Sequence, residues 1–279
     1  MRLTARWDSA VPVLVDARPT PCYVSSPFPR TASLTGQDRD VTSPIPPSAG
    51  GTLFLVATPI GNLEDVTHRA LRVLGEVHLI AAEDTRRTRR LLDRFGIQTR
   101  IVSLFEHNER ARVPALLREL EEGRDVAIVT DAGSPALSDP GYPMVRAAVL
   151  AGHPVTSIPG PSALVTALQV SGLPTDAFTF AGFLPVKSGA RRRRLEQLHE
   201  RPETIVAFES PHRIDACLAE LESVWAERPI ALARELTKIH EQVLRGTASE
   251  VRAALRPEQR RGEMVLVLGG LTRREGRAS

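Results

Sequence analysis

Apolar residues arrive in short runs, each emptying into a loop of Gly, Pro, Ser, Asp or Asn and then into a stretch spaced for one face of a helix. The first run, Thr52-Leu53-Phe54-Leu55-Val56, leads through the loop Ala57-Thr58-Pro59-Ile60-Gly61-Asn62 to a helix carrying Ala70, Leu71, Val73 and Leu74, with Asp65 or Thr67 as its cap. The unit then repeats. Strand His78 to Ala81, acidic loop Glu83-Asp84 and helix Thr88 to Phe95 come next, then strand Ile101 to Ser103 with a helix around Val113 to Leu120. Strand Asp125 to Val129 follows, with a long polar loop and helix Tyr142 to Ala151. This alternation predicts a parallel sheet with crossover helices. The turn cluster Ile158-Pro159-Gly160-Pro161-Ser162 marks a boundary and leads into a helix, Ala163 to Val170. Beyond it, Phe178 to Phe183, Thr204 to Glu209, Ile230 to Glu235 and Glu263 to Gly269 read as strands with fewer helices between them (Arg192 to Leu198, Arg213 to Val224, Thr247 to Leu255). The expected organisation is an N-terminal α/β domain over 50–160 and a C-terminal α+β domain with a mixed sheet over 161–271. Residues 1–49, rich in Pro, Ser, Thr and Arg without any period, and the tail 272–279 are expected to be disordered.

Composition narrows the function classes. A chain of 279 residues, 42% hydrophobic, suits two modest cores, and 36 Lys plus Arg against 33 Asp plus Glu gives no charge excess that alone implies nucleic acid. Cys22 and Cys217 lie far apart without metal-ligand spacing, so neither a zinc site nor a disulfide framework is expected, and a reducing cytoplasm fits. Apolar runs such as Val126 to Val129 and Met264 to Leu268 fall far short of the roughly 20 residues a bilayer demands. Asp8, Pro12 and Asp16 interrupt any leader-like apolar stretch, so no signal peptide is expected.

The chemistry concentrates where strands end. Val126 to Val129 opens into Thr130-Asp131-Ala132-Gly133-Ser134-Pro135-Ala136-Leu137-Ser138-Asp139-Pro140-Gly141, a loop whose glycines permit close backbone approach and whose Ser and Asp can bond a polar ligand; it also reads as ordinary turn sequence. The loop at Thr58 to Asn62 is neither GxGxxG nor a Walker loop, so neither dinucleotide nor nucleoside-triphosphate binding follows. In Ala82-Glu83-Asp84-Thr85-Arg86 a carboxylate could accept a proton and Arg86 could hold a phosphate, or Asp84 or Thr85 could simply cap a helix. Glu106-His107-Asn108-Glu109 adds acid–base groups or a solvated helix start. Lys187 with Arg191, Arg192, Arg193 and Arg194 forms the densest basic cluster, a phosphate-contacting loop and helix start or else a solvated charge run. Ser210-Pro211-His212-Arg213 and Arg234 to Glu241 place polar groups at two later strand ends, and the histidines there are read as no metal site.

Seven strings taken in order carry a family resemblance: Val56 to Leu63, Ala82 to Arg86, Asp131 to Pro135, Asp139-Pro140-Gly141, Pro159 to Ala163, Glu209 to Arg213 and Arg234 to Lys238. From about Gly51 to Gly270 the chain resembles the RsmI-type ribosomal RNA small-subunit methyltransferases, within the wider tetrapyrrole methylase fold. The resemblance implies two α/β domains with S-adenosylmethionine in the cleft between them, a homodimer, and 2′-O-methylation of a decoding-centre cytidine in 16S rRNA of the 30S subunit. It implies cofactor contacts at Pro59, Gly61, Asn62, Asp131, Gly133, Ser134, Pro135, Pro161, Ser162, Ala163, Leu184, Ser210 and Arg234. Asp84, Glu106 and His107 are the candidates for proton removal, with Lys238 as electrostatic partner; Arg86, Lys187 and Arg191 to Arg194 are assigned to RNA phosphates. A methylase of a tetrapyrrole-like small molecule using the same cleft is the alternative, although a macrocycle wants an apolar pocket and aromatics make up only 4% of the chain. A non-catalytic ribosome-binding module is a third reading, one that would not need the small-residue cleft loops.

Overall fold

The structure, a computed structural model, describes residues 50–271. The two segments expected to be disordered, 1–49 and 272–279, and Cys22 lie outside the described residues. In chain order the elements are β1 (Leu53–Val56), α1 (His68–Glu76), β2 (Leu79–Ala82), α2 (Thr85–Arg94), β3 (Arg100–Ser103), α3 (Glu109–Glu121), β4 (Val126–Val129), α4 (Tyr142–Leu150), β5 (Val155–Ile158) and α5 (Ala163–Ser171). Then come β6 (Phe178–Phe183), α6 (Ser188–His199), β7 (Thr204–Glu209), α7 (Ile214–Val224), β8 (Ile230–Arg234), β9 (Gln242–Gly246), α8 (Ala248–Ala254) and β10 (Met264–Leu268).

The first sheet is parallel, ordered β3-β2-β4-β1-β5. Its central strands Leu-Ile-Ala-Ala and Val-Ala-Ile-Val are buried at every position, as a sheet covered on both faces requires. One face packs α1 and α2 through Ala70, Val73, Leu74 and Leu92; the other packs α3 and α4 through Leu116, Leu120, Met144 and Ala148. The second sheet, β6-β7-β10-β8-β9, is mixed: β6 and β7 are parallel and the remaining pairs antiparallel. Ile230, Leu232, Met264 and Leu266 face α6, α7 and α8 on one side, while Ala231, Ala233, Val265 and Val267 face α5 and Ile60 on the other.

Local signals set the helix starts. Thr67 caps α1 by accepting the Ala70 N–H at 3.0 Å, and Thr247 with Glu250 forms a capping box on α8. The expected strands and helices are present with ends shifted; α3 begins at Glu109 rather than Val113 and runs through Pro114, and α6 begins at Ser188 rather than Arg192. Two strands were not expected, β5 and β9. Both are edge strands with a single neighbour, and their sequences Val-Thr-Ser-Ile and Gln-Val-Leu-Arg-Gly are half-exposed, so neither shows the apolar run that marks an interior strand.

Candidate active-site cleft

Three carboxyl ends of the first sheet converge. After β1, Thr58 and Gly133 exchange backbone hydrogen bonds at 2.9 and 3.0 Å, and the Thr58 hydroxyl donates to the Thr130 carbonyl at 3.0 Å, which ties the β1 and β4 loops together. Gly133 has φ +83°, and a Cβ there would lie 3.6 Å from Ile60 Cγ2 and 3.8 Å from the Pro161 carbonyl, so the β5 loop joins them. The second sheet meets these loops from the other side. β6, β7 and β8 run in one sense, which brings their carboxyl ends, and with them Leu184, Ser210 and Glu235, to a common edge. A Cβ on Gly61 would sit 2.7 Å from Thr237 Oγ1, and one on Gly182 would sit 3.5 Å from Ser138 Oγ. The expected cofactor contacts Pro59, Gly61, Asn62, Asp131, Gly133, Ser134, Pro135, Pro161 and Ser162 lie on the β1, β4 and β5 loops, and Ala163 opens α5 directly after them.

The rim is strongly polar. Asp131 accepts the Asp84 N–H at 3.1 Å with one oxygen and pairs with Arg87 at 3.2 Å through the other, and its own N–H donates to Glu83 at 3.1 Å. Asp84 behaves as the helix cap allowed by its sequence: its carboxylate accepts the N–H groups of Arg86 and Arg87 at 2.8 and 3.4 Å. The Arg86 amide foremost holds its pKa below the ordinary value, which makes Asp84 a poor proton acceptor. Asp139 is the opposite case. Burial first, then the negative charges of Glu83, Asp131 and Glu263, push its pKa up to about 7. Lys238 Nζ bonds Glu235 at 2.9 Å and Glu263 at 3.1 Å; burial opposes its charge, but these two carboxylates outweigh it and hold the ammonium above its usual pKa.

Several expected site residues stand elsewhere. Glu106 and His107 are exposed on the turn before α3, His107 edge-on to Phe105 at 6.4 Å, whereas the neighbouring Glu109 is buried and accepts the Gly141 N–H at 2.6 Å, bracing the β4 loop. Leu184 sends its side chain into the core beneath α6 and α7. Arg234 pairs across the sheet with Met264, on the α7–α8 face, so its guanidinium is turned away from the Ala231–Ala233 face that meets the first sheet. The basic cluster also divides: at about 100° per residue, consecutive helical positions cannot share a face. Arg191 is 3% exposed, and Glu220 holds its guanidinium through two bonds at 2.9 and 2.7 Å, so it is structural and does not reach a phosphate. Lys187, Arg192 and Arg193 are exposed, Arg194 half-buried, and Arg86 exposed on α2.

Two groups carry no individual assignment in the sequence. Asp139 hid in an Asp-Pro-Gly turn, and only the adjacency of β2 and β4 brings Glu83 and Asp131 to it. Arg87 and Arg90 line, with Thr58, Thr88, Thr130 and Asp131, a pocket of about 160 Å³ at the rim; their three-residue spacing on α2 was the available signal. Among the described residues no group of three or more His, Cys, Asp or Glu is arranged to hold a metal ion, and no helix is long and apolar enough to cross a membrane. Cys217 is buried, and burial raises its thiol pKa far above the ordinary value.

A parallel sheet and a mixed sheet whose strand ends enclose a cleft of small-residue loops define a protein of the methylase class: residues 52–252 match the sequence model of the tetrapyrrole (corrin/porphyrin) methylases. The fold recurs in a uroporphyrin-III-C-methyltransferase from Thermus thermophilus, 24% identical over 78% of this chain and 94% of that one, TM-score 0.55. A crystal form of that enzyme complexed with S-adenyl homocysteine is 19% identical over 79% and 97%, TM-score 0.54. Sequence relatives are nearer. Ribosomal RNA small subunit methyltransferase I of Micromonospora olivasterospora is 51% identical over 80% of this chain and 72% of its own length, and that of Xylella fastidiosa 49% over 80% and 83%. The chain belongs to the ribosomal RNA small subunit methyltransferase I family.

Proposed function

We propose that this protein methylates the ribose 2′-hydroxyl of a decoding-centre cytidine in 16S rRNA, acting on the 30S subunit in the cytoplasm as a homodimer. The reading divides the chain near residue 160 into a first domain that supplies most of the cleft loops and a second that closes over them. Support comes chiefly from one observation: relatives about half identical carry the small-subunit rRNA methyltransferase name, and the small-residue loops of this chain converge on one cleft.

S-adenosylmethionine is the proposed donor, supplying an electrophilic methyl on a sulfonium. The residues present fit it. Thr130 Oγ1 and Thr237 Oγ1 are buried on opposite walls without hydrogen-bond partners among the described residues, an arrangement that a polar small molecule would satisfy. The loops at Pro59 to Asn62, Asp131 to Pro135 and Pro161 to Ala163 would hold it, with Ser210 at the rim and Leu184 contributing backbone only. The chain's own task is to fix the ribose oxygen in line and accept its proton. Asp139 takes that role in preference to Asp84, whose carboxylate is committed to capping α2. Lys238 contributes positive potential from the facing wall, and Glu106 and His107, exposed on the turn before α3, are given no part in proton removal. Arg86, Lys187, Arg192, Arg193 and Arg194 would contact RNA phosphates.

The deciding experiment is transfer of labelled methyl from S-adenosylmethionine to 30S subunits lacking the modification, with the product nucleotide identified by digestion and mass. A ribose-methylated cytidine is expected. Transfer to a tetrapyrrole instead would support the small-molecule alternative, and cofactor binding failing altogether would favour a non-catalytic module.

A further inference from the structure

Arg234 presents an unusual electrostatic situation. It is 4% exposed, yet among the described residues no carboxylate approaches within ion-pair distance of its guanidinium. Its nitrogens donate only to neutral acceptors: the His240 carbonyl at 3.1 Å, the Gln242 side-chain oxygen at 3.5 Å and the Arg261 carbonyl at 3.4 Å, the last two at the limit of a useful bond. Its Nε is buried with no hydrogen-bond partner among the described residues. A buried cation left this way is costly unless an anion completes it.

The space beside it has the chemistry of an anion site. Arg234 opens onto a pocket of about 350 Å³ whose lining includes Arg256, Arg261, His240, Gln242 and Gln259. Two acids also line it, and both are committed: Glu258 pairs with Arg256 at 3.3 Å, and Glu241 accepts the Thr237 N–H at 2.6 Å. His240 is shared with a second cavity that reaches Gly61 and Asn62 at the cleft and also includes Lys238 and Arg94. The two cavities therefore flank one turn, residues 235–241, with Ile239 at its tip 99% exposed. A chain crossing that turn would pass from the cleft over an apolar side chain to a buried guanidinium.

We propose that the pocket at Arg234, Arg256 and Arg261 binds a phosphate group, and that in the working complex this is a backbone phosphodiester of rRNA flanking the target nucleotide. The second half rests on the rRNA reading above. Arg suits the task because its planar fork reaches two phosphate oxygens at once. This site is separate from Lys187 and the α6 arginines.

The test uses the full chain and the double variant Arg256→Ala/Arg261→Ala, with Arg234→Lys as a second variant that keeps the charge and loses the fork. Inorganic phosphate should raise the melting temperature of wild type relative to chloride at equal ionic strength, and raise that of the double variant much less; equal shifts overturn the pocket. Affinity for 30S subunits measured across a salt series should show a slope reduced by about 1 in the double variant, as loss of one or two phosphate contacts requires. Wild-type methyl transfer to 30S subunits is run alongside. If it proceeds while the variants keep the wild-type slope, the RNA assignment is wrong and the rRNA reading stands. If wild type neither binds nor methylates rRNA but the phosphate shift still depends on Arg256 and Arg261, the rRNA reading fails and the pocket serves a small free phosphate.

Discussion

Arg191 and Arg193 are two residues apart, carry the same charge and have opposite assignments. Arg191 lies inside α6 against α7, where Glu220 accepts from its Nε at 2.9 Å and from Nη2 at 2.7 Å, and Ser188 donates to the same carboxylate at 2.7 Å. That carboxylate's own burial raises its pKa, but the bonds from Arg191 and Ser188 outweigh this and lower it, while the Glu220 bond holds Arg191 above its usual value. Replacing Arg191 by Ala leaves a mostly buried carboxylate without its cation, a loss of about 3–5 kcal/mol for a pair broken on one side. For a domain of this size about 1 kcal/mol moves Tm by roughly 2–4 °C, so Arg191→Ala should melt about 6–20 °C lower. Arg193→Ala, on the exposed face, should stay within about 1 °C, since surface changes rarely exceed about 0.5 kcal/mol. Calorimetry of both variants, paired with 30S affinity at two salt concentrations, separates the roles. An Arg191→Ala protein that melts like wild type yet binds RNA as weakly as Arg193→Ala would refute the division of the cluster.

Asp139 gives a pH signature: with its folded pKa raised from 3.8 to about 7, its contribution to stability is fully present below about 3.8 and is lost as pH rises through about 7. That displacement corresponds to at most about 4 kcal/mol; reduced for its solvent-facing side, about 1–2 kcal/mol is expected, so Asp139→Asn should be the more stable protein at pH 8 and lose the advantage by pH 4, as urea melts at both pH values will show. In the methylation assay the wild-type rate should climb with pH through about 7, and the Asn variant should be slow with no such rise; unchanged activity in Asp139→Asn removes it as proton acceptor. Gly61→Ala should separate the β1 loop from the turn at 236–238 and weaken S-adenosylmethionine binding by calorimetric titration, with little loss of fold stability. Thr247→Ala removes the α8 capping box and should cost about 1 kcal/mol in a chemical melt, leaving methyl transfer intact.

The sequence exposed most of this fold because interior strands announce themselves. Leu79 to Ala82 and Val126 to Val129 are uninterrupted apolar runs ended by turn residues, and such runs need both faces covered. Val155–Ile158 and Gln242–Gly246 are held mainly by one neighbour's backbone, a bond that leaves no trace in side-chain pattern. The same limit governs the site. Loop composition located the cleft, but which strands lie side by side decides that Glu83, Asp131 and Asp139 share one neighbourhood. Direction was equally hidden: Arg234 ends its strand at the cleft edge, and only the pairing with Met264 shows which face carries its guanidinium.

β10 is the last strand among the described residues, yet it lies in the middle of the second sheet, between β7 and β8. During synthesis the first sheet has all five strands once Ile158 has emerged, whereas the second waits for Met264 to Leu268 with two interior strands unpaired on the side β10 will fill. A nascent or truncated chain of this protein therefore presents open strand edges, the surfaces most prone to pair with other chains and to recruit chaperones. The cleft shares that schedule, because Gly61, made early, is clasped by a turn leading out of β8, which β10 must hold in place. Ligand binding is thus a late event in the life of each molecule, since a chain cut short before β10 lacks the strand that holds one wall of the cleft in place.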